Sequence, residues 1–249
     1  MESHFKRETW YRTAKVNEIA VIFVIGKSVY DQTNEDVKIE NEKHQDLLQY
    51  SFIDSYMNLT IKSLTEILFL ADNFPDAELS IRIDDEAYLN IPKLLQDFSS
   101  NEHYERNSII GFLANQRPVR TNSYMWGKYL MPKQVYPLVL YPPFIVGGFS
   151  ILTRGAATEM AAIINQSLPA IHLEDVFCTG ILPLKANLHK YVIPNNGRLL
   201  FNTTLEKEFY FFSMKYFSDQ TEFLKGKYVI QHLIYQQDLI LLHDMYLSK

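Results

Sequence analysis

Hydrophobic and polar positions along this chain switch between two periods. AVIFVIG, within Glu18 to Gly26, is β-branched and aromatic and ends in glycine, the pattern of a first parallel strand buried on both faces. A polar stretch, Asp31 to Gln45, shows no apolar repeat and leads into DLLQYSFID, a second short strand that gives way to Asp54 and Ser55. From Asn58, a candidate N-cap, the period changes. Leu64, Ile67, Leu68, Ala71 and Phe74 recur at spacings of three and four, which predicts an amphipathic helix closing before Pro75. ELSIRIDDE reads as a third strand running into Asp84, Asp85 and Glu86; Asn90 to Phe98 reads as a helix with Pro92 in its first turn, and Ser108 to Leu113 as another strand. Pro132 to Gly148 mixes prolines and glycines with aromatics and reads as loop or irregular strand. A helix is expected from Thr153 to Asn165, with Ala156, Met160, Ile163 and Ile164 on one face. This alternation predicts an α/β chain, an open and mostly parallel sheet flanked by helices, as a single domain over residues 1–249.

Composition narrows the function. With 249 residues, 47% hydrophobic and 14% aromatic, the chain can bury a sizeable core and is not a disordered scaffold. A net charge of −5 lacks the basic excess that draws a protein to nucleic acid, so none is expected as a partner. One cysteine, Cys178, excludes an intrachain disulfide and every multi-cysteine metal site. The longest strongly apolar run, Ile19 to Ile25, has seven residues against the roughly 20 of a spanning helix, so no membrane span is expected. His4, Lys6, Arg7 and Glu8 leave Met1 to Trp10 without the apolar stretch of a signal peptide.

The acidic run is the chemically informative place. Carboxylates at the carboxyl end of a parallel strand sit in the crevice where open α/β sheets take ligands. Their mutual repulsion is relieved by a hard divalent cation, which keeps positions open for phosphate oxygens. The alternative is a solvated strand-to-loop turn, since Asp opens turns readily.

The flanking residues extend the pattern. RIDDEAYLN resembles the K-x-D-D-D-x-F-x-N signature of the beta-1,3-galactosyltransferase and N-acetylglucosaminyltransferase family, glycosyltransferase family 31. RETW, Arg7 to Trp10, is similar to that family's R-x-T-W, and VIFVIG to its F-L-L-G strand. Asp46 to Ser63 looks like D-I-L-x-x-D-F-x-D-S-Y-x-N-L-T-L-K-T, and Lys128 to Phe144 keeps the spacing of K-W-Y-V-x-x-x-x-Y-P-x-x-x-Y-P-P-Y before GGFSILT. EDVFCTG, Glu174 to Gly180, looks like E-D-V-Y-x-G, and LILLHD, Leu239 to Asp244, like the terminal L-x-x-V-H.

The resemblance implies a GT-A fold, a UDP-sugar donor (galactose or N-acetylglucosamine), a glycan acceptor hydroxyl, a manganese ion (Mn2+), inversion at the anomeric carbon and a place in the Golgi lumen. It also implies roles. Glu86 and His243 would ligate the metal with Asp85 beside them; Asp84, Asp85 and Arg7 would lie on the donor side; Asp175 would be the catalytic base, unless it merely caps a helix. Glu174 is grouped with the donor-binding residues, orienting loop or acceptor groups rather than performing chemistry. Tyr141, Pro142, Pro143, Phe144, Gly147 and Gly148 would form an irregular wall where the backbone approaches the donor sugar, or else a structural turn. Phe209 to Phe212 with Tyr216 and Phe217 could stack on an acceptor sugar or belong to the core. Asn58, Asn165 and Asn202 open glycosylation sequons.

Four features depart from the family pattern. Glu86 replaces the usual third Asp, Tyr129 stands for a tryptophan, and one cysteine replaces the several of luminal members. The glycine after EDV comes one residue late, with Pro183 following in what should be a helix.

Overall fold

The computed structural model describes residues 7, 11–12, 14, 19–84, 87–89, 91–100, 106–121, 127–164, 166, 170–192 and 230–232. By backbone contacts the chain groups into two compact units, one of Ile22–Ile81 with Glu105–Val192 and one of Met1–Val21, Arg82–Tyr104 and Ile193–Lys249.

In the first of these, β1 (Phe23–Lys27) pairs in parallel with β2 (Leu47–Ile53), Phe23 opposite Leu47 and Ile25 opposite Gln49. β1 starts five residues after the expected Glu18, and it is half-buried rather than covered on both faces. Between the two strands the polar stretch, which has no apolar period, is a helix, α1 (Asp31–His44), with no buried residue. Charge order holds it where packing does not: Asp31 lies in its first turn, Lys43 and His44 in its last, and Gln45 closes it in the left-handed region at φ 56°.

α2 (Leu59–Asn73) follows as the three-and-four spacing requires and ends before Pro75. Asn58 occupies its N-cap position but does not cap with its side chain; the amide Nδ2 donates back to Ile53 O at 2.8 Å. A four-stranded sheet comes next, in the order β3 (Leu79–Ile83), β6 (Phe144–Thr153), β5 (Ser108–Ala114), β7 (His189–Val192). β5 runs parallel to β7 and antiparallel to β6, so parallel pairing is joined by an antiparallel neighbour. α4 (Ala156–Ile164) packs on α2, and Thr153, expected in this helix, is the last residue of β6.

The core behind the sheet gathers Ile67 from α2, Ile109, Phe144, Ile145 and Leu152 from the strands, Met160 from α4, and Val176, Phe177, Cys178 and Leu182 from the segment that follows. Burying side chains of this size stabilises by about 1.5–3 kcal/mol each. In the other unit β4 (Ala87–Leu89) pairs antiparallel with β8 (Ile230–His232), and α3 (Ile91–Ser100) buries Ile91 and Leu94. Among the described residues no helix is long and apolar enough to cross a membrane.

Candidate active site

The carboxyl ends of the parallel pair β1–β2 carry a fixed carboxylate. Asp54, just after β2, accepts the Gly26 N–H at 2.8 Å on one oxygen, and Lys62 Nζ lies 2.8 Å from the same oxygen. Asp84 directly follows β3 and is half-buried, while Arg7 is buried. Asp85, Glu86 and His243 lie outside the described residues, as do the aromatic positions 209–217 and the sequon residues Asn165 and Asn202. Among the described residues no cluster of His, Cys, Asp and Glu could hold a metal ion.

The EDV block has the most defined geometry. Asp175–Ile181 forms a π-helical segment that continues directly into α5 (Leu182–Lys185), with Leu182 N–H donating to Phe177 O five residues back. A π turn takes one more residue than an α turn, so it absorbs the extra residue that puts Gly180 late relative to the family pattern. It also receives Pro183. That ring has no N–H to donate and would collide with the carbonyl four residues earlier in a regular α-helix; the wider turn removes the conflict. Glu174, not Asp175, occupies the N-cap position, with helical φ −57° and ψ −51° and no side-chain cap. Capping therefore does not account for Asp175, which is the first residue of the π segment and half-buried.

The two adjacent carboxylates differ in burial. Glu174 is buried, and its Oε1 accepts the Ser63 hydroxyl at 3.0 Å; beside it Thr60 donates to Ile171 O at 2.8 Å. One face of α2 thus holds the EDV segment through two side chains three residues apart. This placement gives Glu174 a pinning role in the fold. Thr60 and Ser63 were not singled out from the sequence, although two hydroxyls on the same stripe as Ile67 signal buried partners.

The proline-rich segment is tied to the same helix. Thr179 Oγ1 accepts Ile145 N–H at 2.8 Å and lies 2.6 Å from Asp175 O and 2.9 Å from Ile145 O. A Cβ on Gly180 would stand 3.0 Å from Phe144 Cβ and 3.4 Å from Pro142 Cγ, so the absence of a side chain lets the helix approach the YPPF turn. Lys190 Nζ, on β7, donates to Pro143 O at 2.6 Å and Gly180 O at 3.0 Å, and burial pulls its pKa down to about 8. Tyr141 is buried beside Tyr136 and Phe144, which pushes its hydroxyl up to about 12.

Gly147 and Gly148 belong to β6, not to a loop. The register between β5 and β6 jumps from Gly111 opposite Ser150 to Leu113 opposite Ile145, so the glycine pair lies in a bulge of the ladder, with Gly148 at φ 92°. Such bulges re-aim a strand next to a site, and the positive φ is accessible to glycine at little cost.

A family model described as Galactosyltransferase matches residues 4–194. The protein named beta-1,3-galactosyltransferase 5 from Pan paniscus is 29% identical over 174 residues, an alignment covering 69% of this chain and 56% of that protein. Beta-1,3-galactosyltransferase 1 from Mus musculus is 29% identical over 188 residues, covering 74% of this chain and 56% of that one. The chain spans little more than half the length of these relatives. A solved glycosyltransferase involved in the glycosylation of the major capsid of PBCV-1 aligns at a TM-score of 0.39 and 12% identity over 90% of this chain and 99% of that one, too distant to carry an argument. The match over residues 4–194 covers most of the sequence, and the chain belongs to the galactosyltransferase family.

Proposed function

We propose that this chain is a glycosyltransferase that moves galactose or N-acetylglucosamine from a UDP-sugar to a glycan hydroxyl in beta-1,3 linkage, with inversion, and works in the Golgi lumen. The observation that carries the reading is the placement of Asp175. It opens the π segment and is half-buried. A base at Asp175 would take the proton from the acceptor hydroxyl as that oxygen attacks the anomeric carbon and the UDP departs. The Thr179 contacts and the Gly180 approach hold this helix against Ile145 and the YPPF turn, just ahead of the bulged glycines of β6, a wall at which a sugar can meet backbone.

Asp85, Glu86 and His243 would hold manganese, a donor set of carboxylate oxygens and imidazole nitrogen that suits this ion. When bound, the ion would supply positive charge to the leaving diphosphate. Asp84, at the end of β3, and Arg7 belong to the donor side in this reading.

The test is a transfer screen of the purified protein against a UDP-sugar panel with manganese, together with Asp175→Asn. The variant is nearly isosteric, so transfer should fall by about 10² to 10⁴ with UDP affinity little changed. Retained turnover in Asp175→Asn would remove this residue from the mechanism. Endoglycosidase-sensitive mobility of the product expressed in secretory cells checks the luminal location, and an unglycosylated cytosolic product would refute it.

A further inference from the structure

Lys190, on β7, joins two pieces of the site that the sequence keeps apart. Its Nζ donates to Pro143 O in the YPPF turn at 2.6 Å and to Gly180 O in the π segment at 3.0 Å. Two residues beyond Pro143, the Ile145 N–H donates to Thr179 Oγ1 at 2.8 Å, and that hydroxyl lies 2.6 Å from Asp175 O. The turn and the π segment are therefore tied at two neighbouring points, and the second tie ends on the backbone of Asp175. Gly180 lets them come close enough that a Cβ there would stand 3.0 Å from Phe144 Cβ.

Lys190 holds this place against its own solvation. Among the described residues its ammonium meets these two carbonyls and no carboxylate, and burial draws its pKa from 10.5 down to about 8. A charge taken partly out of water without an opposite charge lowers stability, so an apolar side chain at this point of β7 would serve the fold better. What asks for a lysine is the pair of carbonyl oxygens on two different segments, because one ammonium carries three donors on a long stem and can bridge both.

The transfer reaction gives such a bridge a use. A base must meet the acceptor hydroxyl while the anomeric carbon is held in line, and a displacement of about 1 Å costs on the order of 10² in rate. Asp175 opens the segment on one side of the bridge, and the YPPF turn, part of the proposed donor wall, lies on the other.

We infer that Lys190 is a positioning residue for the transfer, its ammonium bridging the YPPF turn and the π segment so that Asp175 keeps its place relative to the donor wall. The inference rests on the transferase reading above. Its test is steady-state kinetics of wild type and Lys190→Met, with urea titration of the same samples at pH 7. Methionine keeps an unbranched stem and removes every donor. The value of kcat should fall by about 10²-fold, with KM for the UDP-sugar changed far less. The urea midpoint should stay close to wild type, since removal of a half-buried charge offsets the two lost hydrogen bonds. Lys190→Cys should be as slow, and keeps the test open if Lys190→Met does not fold. Alkylating it with 2-bromoethylamine rebuilds an ammonium on a stem of equal length and should return most of the lost kcat; Cys178, 2% exposed, is shielded from the reagent. Three results would overturn the inference and leave the transferase reading in place: wild-type kcat in folded Lys190→Met, a kcat loss that only follows a lowered urea midpoint, or an alkylated Lys190→Cys no faster than before alkylation. A wild type that transfers from no UDP-sugar would defeat that reading itself, and the role of Lys190 with it.

Discussion

The hydroxyl of Ser63 donates a 3.0 Å hydrogen bond to Glu174 Oε1, and both residues are buried although 111 positions separate them in the sequence. Hydrogen bonds to a charged group are worth about 1.5–3 kcal/mol. Ser63→Ala should lower the unfolding free energy by about that amount, measured by urea titration, with the loss shrinking when Glu174 is also changed to Gln. An unchanged midpoint in Ser63→Ala would show that Glu174 does not draw on Ser63.

Gly180→Ala tests the approach of the π segment to the YPPF turn. The added Cβ meets Phe144 Cβ at 3.0 Å, backed by Pro142 Cγ at 3.4 Å, and neither is the far end of a flexible side chain. Overpacking of this kind costs about 1–3 kcal/mol. The variant should unfold at lower temperature, and if the wall contacts a substrate it should also raise KM. Thermal stability equal to wild type would mean that the turn can yield.

The pH dependence of stability should carry a mark from Lys190. Burial lowers its pKa from 10.5 to about 8. Between those values the unfolded chain holds the proton and the native chain does not, so stability rises with pH across that window; the penalty for the buried charge is fully in force below about 8. Tyr141 acts in the opposite sense at higher pH: with its pKa raised from 10.0 to about 12, the native state keeps a proton that the unfolded chain releases. Lys190→Met should therefore flatten the rise between pH 8 and 10 in urea midpoints. A slope identical to wild type would assign the rise to another group.

In the proposed reading, variants at Glu86 would separate an enzyme from a protein that binds a sugar nucleotide without turnover. The change from the family's Asp keeps the charge and moves both oxygens out by one methylene. Calorimetry of manganese and UDP should show metal-dependent UDP binding in wild type and its loss in Glu86→Ala, with Glu86→Asp changing turnover only modestly. Recovery of metal affinity in Glu86→Asp alone would favour the binder, and wild type without metal-dependent UDP binding would defeat the enzyme reading.

Much of the α/β framework was legible because burial writes its period into the sequence. The spacing of Leu64, Ile67 and Leu68 located α2, and the β-branched runs located β2, β3 and β5. The ordered motifs likewise placed the chain in its family. α1 escaped because its stability comes from backbone hydrogen bonds and charge order, with no apolar stripe to give a period. Only the tertiary structure decided that Ser63 reaches Glu174, through packing of α2 on the EDV segment. The same holds for the late glycine and Pro183. In sequence they look like a broken helix; in three dimensions a π turn accommodates both, because helix pitch is set by the whole ladder of bonds and the core packed against it.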